Sequence, residues 1–317
     1  MSTTLALIAR RIGAAALTLL LVSIVVFSIS SLLPGDAAQE ALGQSATPEA
    51  VAALRAQLGL DQPAHIRYSR WLLGMLSGDP GQSLANNLPV AELIKARLPK
   101  SLLLAGAAAL VSVPIALLIG ILSAMFRGSR LDRTLSLATL SMVAVPEFLV
   151  ATIAVLVFAV KLRWLPALTF APADASFGEF LRAYAMPVMT LSFVIIAQMA
   201  RMTRAAVIDQ MNQPYVEMAI LKGVSPSRVV LAHALPNAIG PIANAIALSL
   251  SYLLGGAIIV ETIFNYPGIA SLMVDAVTSR DMPLLQTCAM IFCVAYLALV
   301  LIADVCAIVS NPKLRHQ

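Results

Sequence analysis

Charge is scarce in this 317-residue chain: Asp, Glu, Lys and Arg make up only 12% of it, against 60% apolar residues. Mean hydropathy is +0.89. So little polar surface excludes a soluble globule and leaves a membrane protein. Other shortages close further routes. The three cysteines, Cys288, Cys293 and Cys306, all lie in or beside one apolar run, at a spacing that fits neither a disulfide framework nor a metal ligand set. They read as apolar filler. The three histidines, His65, His233 and His316, fall outside every apolar run, so an intramembrane protease has no nucleophile and base to pair. His233 invites a reading as ligand or proton relay, but without a His, Cys or carboxylate at metal spacing it reads as a surface or packing residue. Neither Gly-Lys-Ser nor Gly-Lys-Thr occurs, which removes the phosphate-cradling P-loop. No catalytic residue, metal ligand or cofactor site emerges. The net charge of +5 has no aromatic-interleaved basic patch behind it, so nucleic acid is not a partner.

What the chain has in abundance is long apolar runs. A bilayer core about 30 Å thick takes roughly 20 apolar residues of helix, with backbone groups bonded inside the segment. Six runs qualify: Ile12 to Leu33, Ser101 to Phe126, Thr134 to Val160 (interrupted only by Glu147), Ala183 to Ala200, Ala238 to Val260 and Met282 to Ala303. The expected fold is an all-α membrane bundle of six transmembrane helices. Pro114, Pro146, Pro187 and Pro241 fall inside these runs, which embedded helices tolerate where neighbours re-satisfy the freed carbonyl.

The first run follows Arg10 and Arg11, but its 22 residues exceed the h-region of about 7 to 15 in a cleaved signal, so it reads as an uncleaved anchor. Segment 1–33 therefore carries the first helix, 34–100 is a long polar excursion, and 101–317 holds the other five helices. Ala50 to Leu58 within the excursion is amphipathic and suits a short surface helix. With a cytoplasmic N-terminus, the inner segments hold eleven basic residues, Arg10, Arg11, Arg127, Arg130, Arg133, Arg201, Arg204, Lys222, Arg228, Lys313 and Arg315. The outer short loops hold four: Lys161, Arg163, Arg182 and Arg280. Both termini are then cytoplasmic and the excursion is periplasmic.

Between the fourth and fifth runs lies a polar interruption, Tyr215 to Pro241, on the cytoplasmic side. Pro214 suits a first helical turn and Glu217 complements the helix N-terminus. Gly223 supplies a C′ stop, and Ser225-Pro226 is an N-cap and first-turn pair for a second short helix running toward Leu235 and Pro236. The expectation is helix, glycine turn, helix, within a loop at about residues 205–237.

This stretch resembles the cytoplasmic signature loop of bacterial binding-protein-dependent ABC importer permeases, whose pattern is Glu-Ala-Ala, three residues, Gly, nine residues, Ile, one residue, Leu-Pro. Glu217, Ala219, Gly223, Leu235 and Pro236 fit in register; Met218 and His233 depart from it. Stretches along nearly the whole chain resemble the di- and oligopeptide branch. They are LLPGD from Leu32, LGLDQP from Leu58, SGDPGQSL from Ser77, RLPKSL from Arg97, VETIFNYPG from Val260, SRDMPLLQ from Ser279 and the closing NPKLR. The excursion after the first run is typical of the first of that branch's two permease subunits.

The resemblance implies a transport subunit of the bacterial inner membrane, bathed in membrane lipid and without an ATPase site of its own. Its implied partners are a second permease subunit, two ABC ATPase subunits that bind ATP and Mg, and a periplasmic substrate-binding protein. The loop at Glu217 and Gly223 would dock on the ATPase. The cargo stays open among dipeptides, oligopeptides, nickel chelates, glutathione and opines. The competing class is a self-sufficient secondary transporter or channel, for which paired ionisable groups at the bilayer midplane are the discriminator. One carboxylate, Glu147 after Pro146, lies mid-run. It reads either as a structural carboxyl bonded to a partner subunit or as part of the substrate path, favouring a cationic group.

Overall fold

A computed structural model describes residues 2–32, 39, 46–59, 61–169 and 176–310. Most of the LLPGD stretch, the closing NPKLR and His316 lie outside them. The described residues are helical almost throughout, with one isolated antiparallel bridge between Gln82 and Pro89. In chain order the helices are α1 (Ser2–Leu32), α2 (Pro48–Leu58), α3 (Ala64–Ser77), α4 (Val90–Met125) and α5 (Arg130–Ala144). Then come α6 (Glu147–Ala154), which runs on as a π-helical segment Val155–Lys161, α7 (Phe177–Met211) and α8 (Pro214–Leu221). A single turn Pro226–Arg228 and a π-helical segment Val229–Ala234 lead into α9 (Leu235–Ile263), followed by α10 (Ile269–Thr278) and α11 (Met282–Ser310).

Among the described residues five helical stretches are long and apolar enough to cross a membrane: Ala6–Ser30, Val90–Met125, Phe177–Met211, Pro226–Ile263 and Met282–Ile308. The sixth expected span, Thr134 to Val160, is not one helix. It is the pair α5 and α6, bent by 95°. Val145 is extended at φ −89° and ψ 123°, the region a residue before proline prefers, and Pro146 caps the next helix. Pro187 and Pro241, by contrast, sit inside continuous helices. The second short helix expected after Ser225 is also not separate, because Pro226 begins a helical stretch that continues to Ile263. The short helix expected at Ala50 to Leu58 is present as α2, capped by Thr47, whose Oγ1 accepts from the Ala50 N–H at 3.2 Å.

Two compact units divide the chain. The first comprises residues 1–13, 103–266 and 296–317. Its core packs α7 against α9, with Leu104, Met186, Leu191, Met199, Leu253, Phe264 and Tyr266 buried among alanines at 108, 116, 151 and 200. Small residues let helix backbones approach closely where lipid offers no hydrophobic drive. The second unit comprises residues 14–102 and 267–295. There Val90, Ile94, Ile269, Leu272, Leu284 and Cys288 form the core. Ser101 Oγ accepts the Ile269 N–H at 2.8 Å, capping α10 where Gly268 has no side chain to do so. Phe27 of α1 meets Tyr68 of α3 edge to face, ring centroids 5.4 Å apart.

Candidate functional site

The first candidate site is the polar segment joining α7 to α9. Pro214 opens α8, where its missing N–H costs nothing, and Glu217 lies exposed in the first turn. The helix ends in a Schellman motif: Val224 N–H donates to Ala219 O at 3.2 Å and Gly223 N–H to Ile220 O at 2.9 Å. Gly223 stands at φ +77°, a conformation that costs glycine nothing and other residues about 1 kcal/mol or more. Val216 and Ala219 are buried on the inner face of α8, as are Val229 and Val230 of the π-helical segment. Tyr215, Met218, Ile220 and Leu221 are exposed, Leu221 to 74%. Leu235 is half-buried at the start of α9, and Pro236 is exposed in its first turn, not at the end of a separate helix.

Pro146 and Glu147 lie elsewhere. Pro146 is the N-cap of α6 and Glu147 its first residue, half-buried. Among the described residues Glu147 has no hydrogen-bond or ion-pair partner. Its carboxylate rests on Gly256 of α9, where an ideal Cβ would fall 2.7 Å from Oε2 and nearer still to Oε1. Any side chain at 256 would displace it. Gly256 lies 20 residues along α9 from Pro236, about 30 Å of helix. Glu147 is thus near the end of α9 remote from the polar segment.

Residues 116–316 match the family described as binding-protein-dependent transport system inner membrane component, and residues 4–105 match its N-terminal companion. The chain belongs to that family. A Brucella abortus (strain 2308) protein named as a peptide transport system permease is 35% identical over 314 residues, 98% of this chain and 99% of its own length. The glutathione transport system permease protein GsiC of Salmonella paratyphi A is 35% identical over 300 residues, 95% of each. A Sinorhizobium fredii protein named as a peptide ABC transporter permease is 32% identical over 309 residues, 98% of this chain and 99% of its own. A membrane transport component, and no enzyme, is what this family describes.

One cluster of the chain escapes sequence reading. Asp132, buried in the first turn of α5, receives Arg204 of α7 through Nε at 2.8 Å and Nη2 at 2.9 Å. It also accepts the Ser123 hydroxyl and the Gly128 N–H at 2.9 Å. In the sequence Arg204 is one more inner basic residue that bears on orientation. The pair spans 72 residues of sequence, so no local pattern links its members.

Proposed function

We propose that this chain is a permease subunit of an ATP-driven ABC importer, forming half of a translocation path for peptides or related small solutes. A periplasmic binding protein delivers the solute. A second, different permease subunit supplies the other half of the path, and two ABC ATPase subunits bind ATP and Mg, so this chain needs no nucleotide or cofactor of its own. Both termini face the cytoplasm of a bacterium and residues 34–100 face the periplasm, a reading supported by the eleven inner basic residues against four outer ones.

The observation that carries this reading is α8: a short helix pinned by Val216 and Ala219, stopped by Gly223, and presenting Tyr215, Met218 and Leu221 outward. A stiff projection with an apolar outer face suits a protein partner that pushes or pulls on it. Glu217, Ala219, Gly223, Leu235 and Pro236 serve as the ATPase-coupling element. A self-sufficient secondary transporter or channel leaves α8 without a purpose. Relatives named for peptide and for glutathione transport support a peptide-like cargo.

Pro146 and Glu147 line the path. A carboxylate facing lipid costs roughly 2.5 to 3.5 kcal/mol on insertion scales, and Glu147 has no partner among the described residues to relieve that cost. The docking reading is tested by placing a cysteine at Met218 and oxidising it against single-cysteine ATPase subunits in the assembled transporter. The expected result is a cross-linked permease–ATPase band that ATP binding modulates; no band at any ATPase position overturns the docking role of α8.

A further inference from the structure

We infer that the Asp132–Arg204 pair is a positioning clamp that makes the α4–α5 turn part of the coupling element, so that movement of α8 reaches α5 and the bend at Pro146. The inference rests on the docking reading of α8 and adds to it the route by which the movement leaves that helix.

Asp132 is 4% exposed and takes five donors. On Oδ1 they are the Ser123 hydroxyl, Arg204 Nε at 2.8 Å and the Ser136 hydroxyl at 3.3 Å; on Oδ2 they are Arg204 Nη2 and the Gly128 N–H, each at 2.9 Å. The Asp132 N–H in turn donates to Ser129 Oγ at 3.2 Å, the N-cap of α5. The end of α4, the turn after it, the start of α5 and the flank of α7 therefore converge on one carboxylate. A guanidinium fork held at two points fixes orientation as well as distance, which a single contact would not.

The surroundings give the clamp leverage. Arg204 stands seven residues before α7 ends at Met211, and α8 follows after Asn212 and Gln213. One apolar cluster joins Ala124 of α4 and Ala206, Val207 and Ile208 of α7 to Val230, Ala238 and Ile242. A turn above the clamp α4 and α7 touch at backbone distance, since a Cβ on Gly120 would lie 2.7 Å from the Ala200 carbonyl oxygen. Close-packed elements move together. The α5 helix leaves this body at one end and reaches the 95° bend before Glu147 at the other. Along its length α5 packs on α7, and the clamp fixes the first turn of α5 to that same helix, so the two are tied at the end nearest α8.

The test uses the whole transporter, reconstituted with its partner subunits in proteoliposomes, and reads solute taken up per ATP hydrolysed. Asp132→Asn keeps the size of the side chain and removes the charge that holds the fork. Arg204→Lys keeps the charge and loses the fork, and serves if the first variant does not assemble. In both, ATP hydrolysis should continue while solute per ATP falls by about fivefold or more, the scale of residues that carry coupling. The double variant Asp132→Asn with Arg204→Gln leaves no unpaired charge and should stay uncoupled. An unchanged ratio, with uptake and hydrolysis falling only in step with the amount of complex, overturns the clamp; so does recovery of the ratio in the double variant. The Met218 cross-link separates the two readings. Its absence from the parent transporter removes the docking role and the clamp with it, whereas its persistence beside an unchanged ratio removes the clamp alone.

Discussion

Ser83 donates its hydroxyl to the buried carboxyl group of Asp281 across 198 residues of sequence. The same carboxyl accepts the Leu284 N–H at 3.3 Å, capping α11, and the Ala85 N–H at 3.5 Å. The stretches SGDPGQSL and SRDMPLLQ therefore meet in one polar knot inside the second unit. Asp281→Ala removes an N-cap and leaves the Ser83 hydroxyl without an acceptor in a buried site, at a combined cost of about 2 to 3 kcal/mol. Asp281→Asn keeps an acceptor for the cap and should lose less. Thermal unfolding of the purified chain in detergent measures both; an alanine variant as stable as the parent removes the knot from the account of this unit.

The 95° bend gives the topology a sharp test. If α5 and α6 together cross the membrane, six crossings put the exposed Ser69 and Ser227 on opposite faces. If the pair enters and leaves on one side, the odd count puts both on the same face. Cysteines at the two positions in intact cells should react differently with an impermeant thiol reagent, Ser69→Cys strongly and Ser227→Cys only after permeabilisation. Equal labelling from outside would make the pair re-entrant and move α8 away from any cytoplasmic ATPase.

Gly223→Val places a β-branched side chain at φ +77°, at a local cost of at least about 1 kcal/mol. Space is not the obstacle, because no atom lies within 4 Å of a Cβ built there. The permease pair should assemble while solute-stimulated ATP hydrolysis and uptake fall together. Unchanged uptake would show that the turn tolerates another backbone path.

Glu147→Gln keeps the shape of the side chain and removes its charge. Across cargoes of graded charge that the binding protein delivers equally well, cationic uptake should drop more than neutral or anionic uptake. Gly256→Ala should mimic it, because its Cβ would overlap the carboxylate and push it from its seat. A uniform effect on all cargoes leaves Glu147 a structural role only.

Local chemistry makes the end of α8 legible in the amino-acid sequence alone. The stop at Gly223 is set within six residues, from Ala219 to Val224, and a glycine after a short helix announces it. The spanning helices are equally legible, because a bilayer demands one long apolar segment per crossing and each segment satisfies its own backbone. Proline is not legible. Pro187, Pro241 and Pro146 all interrupt apolar runs, yet two remain inside helices and one begins a new helix across a right-angle bend. The outcome depends on whether neighbouring helices hold the freed backbone in line, and that is a property of the packed bundle. The pairs that position the candidate sites are of the same kind. Asp132 with Arg204, Glu147 with Gly256 and Ser83 with Asp281 join residues that the chain keeps far apart, and only the packing of α5 on α7, of α6 on α9 and of the segments within the second unit brings them within reach.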